Sequence, residues 1–225
     1  KSAIQAPEGY VIVGADLSNI ELRVSLYFSG QTDKLQIIAD GMDLYKDFAA
    51  TAFKVDYDDV TKDQRFVGKT SILGLGFGTG AFKLRESIRA MSGNDIGKKE
   101  SERIVELYRS EFDQVKSTWR DGTQVLKDMR DNVASTFGSI NLPVRGKQGV
   151  LLPSGLYLKY PNLKELETDT GVEWSYSSHR GSRRKIYGGK VAQNCIQSLA
   201  RCIMGEAMVR ITKRYKIALT IHDSC

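Results

Sequence analysis

Two aspartates stand at the ends of apolar segments that could carry them into one site. Asp16 follows the apolar residues 10–15, and Asp223 follows residues 217–221. Both segments are β-rich and predict buried strands. Two carboxylates at strand ends can hold a pair of divalent cations about 3.5–4 Å apart, which serves in-line phosphoryl displacement. Mg²⁺ suits such a site because it prefers a few carboxylates plus substrate phosphates. The alternative is that each aspartate only forms a turn or caps a helix.

Arg65 and Lys69 form a second group, within a helix-like stretch over residues 62–73 that Thr61 could cap. At a spacing of four, Arg65, Lys69 and Leu73 share one helix face. The two cations repel each other mildly, which is tolerable if the face receives a polyphosphate. A solvated basic face is the alternative. The glycine run at 74–80 does not end in Gly-Lys-Ser/Thr, so a P-loop is a poor interpretation.

The third group is a basic segment, residues 179–185, which contains Arg183 and Arg184 and predicts a charged loop. Such a loop could contact backbone phosphates of a nucleic acid, and an exposed turn is an equal alternative. The two tryptophans are interpreted as packing residues. The chain has three cysteines, Cys195, Cys202 and Cys225. Their spacing is typical neither of metal ligands nor of a disulfide framework, which favours a reducing compartment.

Both helices and strands are predicted among the elements that must position these residues. Helical patterns cover residues 19–28, 43–53, 62–73, 101–130 and 190–211, with a break expected near Gly122. Residues 150–160 predict two strands joined by a turn, and residues 172–176 predict another strand. Since helices and strands do not alternate regularly, the predicted fold class is α+β. A chain of 225 residues can bury a sizeable core as one large domain or two small ones.

Composition narrows the class of protein only slightly. The apolar share of 41% and charged share of 27% are ordinary for a globular protein, and the net charge of +6 permits a polyanionic partner without demonstrating one. No apolar run approaches the length of a membrane span, and the first residues lack a signal-peptide pattern, so no membrane role is expected. The absence of an initiator Met suggests that the protein begins upstream of Lys1.

Three segments resemble, in order, the motifs of family A (DNA polymerase I-like) DNA polymerases. Residues 16–23, Asp-Leu-Ser-Asn-Ile-Glu-Leu-Arg, are similar to motif A, and residues 221–223, Ile-His-Asp, to motif C. Between them, Arg65, Lys69, Phe77 and Gly78 are spaced as in motif B. Residues 193–201 resemble the glutamine-bearing palm helix of this family. Residues 152–155 and 187–190 resemble its phage-type branch. The resemblance covers nearly the whole chain.

This resemblance implies a template-directed DNA polymerase that joins dNTPs to a primer by two-metal nucleotidyl transfer, in viral or phage replication. It divides the chain into palm (1–34), mostly helical fingers with a β-hairpin insertion (35–185) and palm again (186–225), the palm being an antiparallel sheet with helices. The implied cofactor is two Mg²⁺ ions, and the implied partners are primer-template DNA and dNTPs. A monomeric catalytic core in the cytoplasm, or in a host's cytoplasm, is expected.

The family's roles carry over by position. Asp16 and Asp223 would ligate the catalytic metals, with the backbone carbonyl of Leu17 assisting. Arg65 and Lys69 would bind the incoming triphosphate. Other side chains would line the nucleoside pocket, namely Leu73, Phe77 and Glu21, of which Glu21 would crowd the sugar 2′ position. Contacts with DNA are expected from Gln193, Gln197, His222, Arg183 and Arg184.

The sequence departs from the family pattern at four positions in or beside the motifs. Leu17 stands where Tyr is usual, which matters little if only its carbonyl is used. Ser224 replaces a usual Glu, so one auxiliary carboxylate is missing. Leu73 replaces an aromatic residue, and Phe77 lacks the Tyr hydroxyl that would bond Glu21. We therefore expect weaker exclusion of nucleotides that carry a 2′-hydroxyl.

Two other functions compete with this one. A phage-type single-subunit RNA polymerase shares the three motifs, but Glu21 leaves too little room for a 2′-hydroxyl. A non-catalytic nucleic-acid-binding remnant is disfavoured because Asp16, Lys69 and Asp223 are all retained. The 225-residue chain alone is expected to be inactive, because it lacks the family's thumb before Lys1 and the strand that would return after Asp223.

Overall fold

Helices dominate the computed structural model, which describes residues 5–169, 171–220 and 224. Short turns connect most of them, and two single 3₁₀ turns occur at Tyr57–Asp59 and Gly146–Gln148. None of the helices in these ranges is long and apolar enough to cross a membrane. The α-helices are α1 (Ile20–Ser29), α2 (Thr32–Ala39), α3 (Leu44–Phe53), α4 (Lys62–Leu75), α5 (Ala81–Ser92), α6 (Lys98–Glu111), α7 (Asp113–Asp131) and α8 (Gly188–Ile211).

Two antiparallel sheets lie between α7 and α8 in the chain. One is four-stranded in the order β1-β2-β3-β4, and the other is three-stranded in the order β5-β6-β7. The strands are β1 (Ala134–Phe137), β2 (Leu142–Arg145), β3 (Val150–Leu151), β4 (Tyr157–Leu158), β5 (Lys164–Thr168), β6 (Gly171–Ser177) and β7 (Arg183–Ile186). The predicted strand pair at 150–160, the predicted strand at 172–176 and the α+β class are confirmed.

Two hydrophobic cores share α1 and α7. Val24 and Phe28 on one face of α1 pack with the second half of α7, both sheets and α8. Leu22 and Leu26 on its other face pack with α3 to α6 and the first half of α7. Phe28 is fully buried and meets Phe137 edge to face, with ring centroids 4.9 Å apart. Because apolar packing holds α1 from two sides, the segment that begins at Asp16 leads into a fixed helix.

The helices α3 and α4 begin where their sequences place caps. The Thr61 side chain accepts a hydrogen bond from the Gln64 backbone N–H, and the Gln64 side chain accepts one from the Thr61 N–H, which completes a capping box. This confirms Thr61 as the cap of α4. Asp43 caps α3 by accepting from the backbone N–H groups of Tyr45 and Lys46.

The long helical region does not break near Gly122, and that prediction was wrong. α6 ends at Glu111 and α7 begins at Asp113, so the break falls at Phe112, which is fully buried. Gly122 lies inside α7, where α8 crosses it. A Cβ on Gly122 would lie 2.9 Å from the Gly188 carbonyl carbon and closer still to its oxygen. Glycine is needed there for close helix packing rather than for a change of direction.

The predicted buried strand at residues 10–15 is also absent. These residues are irregular and exposed, with Val11 at 85% of its accessible surface. Residues 217–220 are irregular as well, and Ile221 lies outside the described residues. Within the described ranges no ladder pairs the two segments, and a single antiparallel bridge joins Asp16 and Ser224, which follow them in the chain. A strand without neighbours has neither ladder hydrogen bonds nor a covering face, so an apolar run alone does not make one.

Candidate active site

The outward face of α4 carries the residues predicted to bind a nucleotide. Arg65, Lys69 and Leu73 are exposed, Leu73 at 44%, while Val67 and Ile72 on the opposite side are buried. The shared face inferred from the spacing of four is therefore present. Leu73 does not pack inside the helical core.

The N-terminal half of α4 meets the start of α3. The Arg65 Nε atom donates to the Asp43 Oδ2 atom over 2.6 Å, and the Arg65 guanidinium lies 5.7 Å from the centre of the Tyr45 ring. The Lys69 ammonium lies 6.0 Å from the same ring. Gly68 makes this approach possible, because a Cβ there would collide with the Tyr45 carbonyl oxygen. Two cations are thus gathered around one aromatic ring.

Tyr45 connects these cations to the loop that precedes α1. Its hydroxyl donates to the Asn19 Oδ1 atom over 3.0 Å. Burial raises the pKa of Tyr45, the nearby Asp43 carboxylate raises it further and Arg65 opposes both, so the hydroxyl stays protonated as a donor. Asn19, in a left-handed conformation, belongs to the predicted motif A segment. The motif A and motif B segments, distant in sequence, therefore meet through Tyr45.

A small cleft of about 190 Å³ opens at this junction. It is lined by Asn19, Leu22, Arg23, Ile38, Gly41, Met42, Asp43, Leu44, Tyr45 and Arg65. The residues predicted to form the site did not include Asn19, Asp43 or Tyr45. Asp43 opens the helical pattern at 43–53, a position that indicates a helix cap and not a partner for Arg65, 22 residues away.

Asp16, the first predicted metal ligand, is exposed and accepts a 2.7 Å hydrogen bond on Oδ1 from the Ser224 hydroxyl. The Leu17 carbonyl accepts from the Ile20 N–H over 3.1 Å and keeps a second lone pair. Both are oxygen donors of the type that Mg²⁺ prefers, so they fit that ion. The other predicted ligand, Asp223, and His222 lie outside the described residues. Within the described ranges no three His, Cys, Asp or Glu residues are clustered for a metal.

The C-terminal end of α4 is fixed by side chains from two other elements. The Trp119 indole N–H donates to the Gly76 carbonyl over 3.0 Å, and the Tyr187 hydroxyl donates to the Phe77 carbonyl over 3.3 Å. Phe77 is half-buried against the core that contains α8. Glu21, in the first turn of α1, is half-buried. Trp119 and the buried Trp174 are packing residues, as predicted.

The residues predicted to contact DNA lie in different settings. Gln193 accepts a hydrogen bond from the Lys190 ammonium over 2.8 Å. Gln197 is exposed and lines a groove of about 910 Å³ between α8 and the turn that joins β3 to β4. Cations from α8 and the residues after it also line that groove, namely Arg201, Arg210 and Lys213. Glu206, which pairs with Arg210, lines the groove as well, so this face of α8 places more cations than anions beside the glutamine.

The basic segment at 179–185 is not a loop throughout, because Arg183 to Lys185 lie in β7. The Arg183 guanidinium donates to the Ser175 carbonyl over 2.7 Å and to the Asn162 carbonyl over 3.1 Å. Arg183 therefore holds its own sheet together. Arg184 is exposed on the neighbouring position of the strand. Sequence reasoning treated the two arginines as equivalent, and strand alternation separates them.

Comparison with known proteins gives one family over the whole chain. The model of DNA polymerase family A matches residues 1–225. The DNA polymerase of Bacillus phage SP02 is 28% identical over 99% of this chain and 36% of its own length, and that of Bacillus phage SP01 is 32% identical over 60% of this chain and 15% of its own length.

A thermostable DNA polymerase I of Thermus filiformis is 27% identical over 74% of this chain and 22% of its own length. The chain thus spans about a third or less of these relatives. Among solved structures, the polymerase domain of Pol1 from M. smegmatis, in complex with DNA primer-template and dNTP, matches 97% of this chain and 33% of its own with a TM-score of 0.58 at 23% identity, which shows a common fold. The chain belongs to DNA polymerase family A.

Proposed function

We propose that this chain forms part of the catalytic core of a template-directed DNA polymerase that extends a primer from dNTPs. The observation that carries the proposal is the junction at Tyr45, whose ring lies near Arg65 and Lys69 of α4 and whose hydroxyl bonds Asn19, three residues after Asp16. A cationic face linked in this way to the segment that carries Asp16 suits a substrate with both a triphosphate and metal ions. Membership in DNA polymerase family A supports this use of the site.

In the proposed reaction the primer 3′-oxygen attacks the α-phosphate of a dNTP, a new P–O bond forms and the bond to the leaving pyrophosphate breaks. Arg65 and Lys69 would offset the charge that grows on the pyrophosphate. Asp16, Asp223 and the Leu17 carbonyl would hold two Mg²⁺ ions, which would lower the barrier by neutralising charge on the reacting phosphates. The Ser224 hydroxyl would keep the Asp16 carboxylate oriented through its 2.7 Å hydrogen bond.

The nucleoside pocket would be formed by Leu73, Phe77 and Glu21, with Glu21 against the sugar 2′ position. Leu73 is exposed on the same face as Lys69, which is the placement that this role requires. The duplex would run along α8, where Gln197 lines a groove together with Arg201, Arg210 and Lys213. Gln193, His222 and Arg184 are further proposed DNA contacts. Arg183, which is bonded within its sheet, would contribute charge at most.

The division into palm (1–34), fingers (35–185) and palm (186–225) is part of this proposal, as are a monomeric core and a cytoplasmic site of action. Relatives named as DNA polymerases of Bacillus phages SP02 and SP01 favour a role in phage DNA replication.

Primer extension by the intact polymerase that carries this chain tests the proposal. We expect Mg²⁺-dependent extension with dNTPs and much weaker extension with rNTPs, and we expect Asp16→Asn to abolish extension while sparing DNA binding. Efficient extension with rNTPs would favour an RNA polymerase. DNA binding without any extension would favour a non-catalytic binding protein. An Asp16→Asn variant at near-parental rates would show that Asp16 is not a metal ligand.

A further inference from the structure

We propose that Asp43 is a positioning residue, which presents the Arg65 guanidinium to the triphosphate of the incoming nucleotide. This inference rests on the proposed polymerase function. It concerns a residue outside the three motif segments, and it assigns to one carboxylate both the start of α3 and the orientation of a cation on α4.

The Asp43 carboxylate divides its two oxygens between two helices. Oδ1 accepts from the Tyr45 N–H over 2.9 Å and from the Lys46 N–H over 3.3 Å, which caps α3. Oδ2 accepts from the Arg65 Nε atom over 2.6 Å. The backbone is held too, because the Asp43 N–H donates to the Tyr57 hydroxyl over 3.0 Å. The carboxylate is therefore fixed before it meets Arg65.

The geometry of the contact leaves the useful part of the guanidinium available. Among its contacts with described residues, Arg65 hydrogen-bonds through Nε alone, while the two terminal nitrogens, with four N–H groups, are not used. Those nitrogens are the ones that bind a phosphate in bidentate fashion. The Tyr45 ring, 5.7 Å from the guanidinium carbon, is buried and tied to Asn19. Arg65 is thus held from one edge and presented from the other.

Two effects of Asp43 on a bound triphosphate oppose each other. Its negative charge repels the phosphates, which would make an uncharged replacement bind the nucleotide more tightly. Its hydrogen bond removes the rotational freedom of a long side chain, which would make the same replacement bind more weakly. We expect orientation to win, because the pair is partly exposed, with side-chain accessibilities of 44% and 32%, so solvent and salt weaken the repulsion between Asp43 and the phosphates. Whether an uncharged replacement of Asp43 weakens or strengthens triphosphate binding therefore decides between the two effects.

The test is steady-state incorporation of one nucleotide by the intact polymerase that carries Asp43→Asn. Asparagine caps a helix about as well as aspartate, so α3 should be retained while the ion pair is lost. We expect the KM for dNTP to rise about 3- to 10-fold, the range for immobilising one flexible side chain, with kcat within about twofold. In an Arg65→Ala background the same substitution should change KM by less than about twofold, since the residue it positions is absent.

A matched control comes from a second aspartate–arginine pair. Asp95 accepts from the Arg85 Nε over 2.6 Å and from the Gly97 N–H over 2.9 Å, at similar exposure. Asp95→Asn should leave the KM for dNTP unchanged. An unchanged or lower KM in Asp43→Asn, or a rise that persists without Arg65, would overturn the positioning role. Absence of primer extension by the parent would instead refute the proposed function.

Discussion

The crossing of α7 and α8 depends on the missing side chain of Gly122. A Cβ at this position would lie 2.9 Å from the Gly188 carbonyl carbon, 3.0 Å from the Gly188 Cα and closer still to the carbonyl oxygen. Ordinary contacts begin at 3.4 Å, so relieving the carbonyl-carbon contact alone would require the two helices to separate by ~0.5 Å, and the oxygen contact requires more. The obstacle is backbone, which cannot rotate away as a flexible side chain can.

Gly122→Ala sets this collision against a local gain. Alanine is favoured over glycine in a helix interior by about 1 kcal/mol. Overpacking costs about 1–3 kcal/mol, and a backbone obstacle favours the upper end of that range. We therefore expect a net loss of about 1–2 kcal/mol, which for a chain of this size corresponds to a fall in Tm of roughly 2–8 °C. Thermal unfolding followed by far-UV circular dichroism measures it.

Gly205→Ala is the matched control. Gly205 lies inside α8, and a Cβ there would meet nothing within 4 Å. Only the local gain applies, so this variant should be unchanged or more stable by up to ~1 kcal/mol. If Gly122→Ala raised Tm as Gly205→Ala does, the close crossing of α7 and α8 would be refuted.

Three further predictions concern single side chains. Leu73→Tyr should relax discrimination against dideoxynucleotides at least severalfold, since a new hydrogen bond contributes roughly 0.5–1.5 kcal/mol. Incorporation kinetics with dTTP and ddTTP measure this change. An unchanged selectivity ratio would contradict the proposed place of Leu73 in the nucleoside pocket. Lys69→Ala should lower both turnover and dNTP affinity, whereas Arg184→Ala should lower only DNA affinity and reduce its salt slope by about one unit; equal effects on dNTP affinity would contradict this division. Burial raises the pKa of the Cys195 thiol to about 12, so at mildly alkaline pH it should react with a thiol reagent only after unfolding, unlike the partly exposed Cys202; rapid labelling of native Cys195 would show that the core opens there.

Features that depend on neighbours in the chain could be predicted from the order of the residues. The helix period and the Thr61 capping box predicted α4 and placed Arg65, Lys69 and Leu73 on one face, because these signals act within a few residues. The resemblance to family A motifs covered nearly the whole chain, and the family match confirms it. The strand pair β3–β4 followed from its turn residues in the same local way.

Features that depend on distant partners could not be predicted in this way. The apolar run at 10–15 carries strand-forming residues but has no neighbouring strand in the described part of the chain. Strand pairing depends on a second segment, so the residues of one segment cannot predict it. Gly122 suggested a helix break when only its neighbours in the chain were considered. It lies instead at the crossing of α7 and α8, because the Gly188 backbone that faces it belongs to another element. The junction of Asn19, Tyr45, Asp43 and Arg65 likewise exists only where α3 packs on α4, since side-chain contacts between distant segments form only when the chain folds.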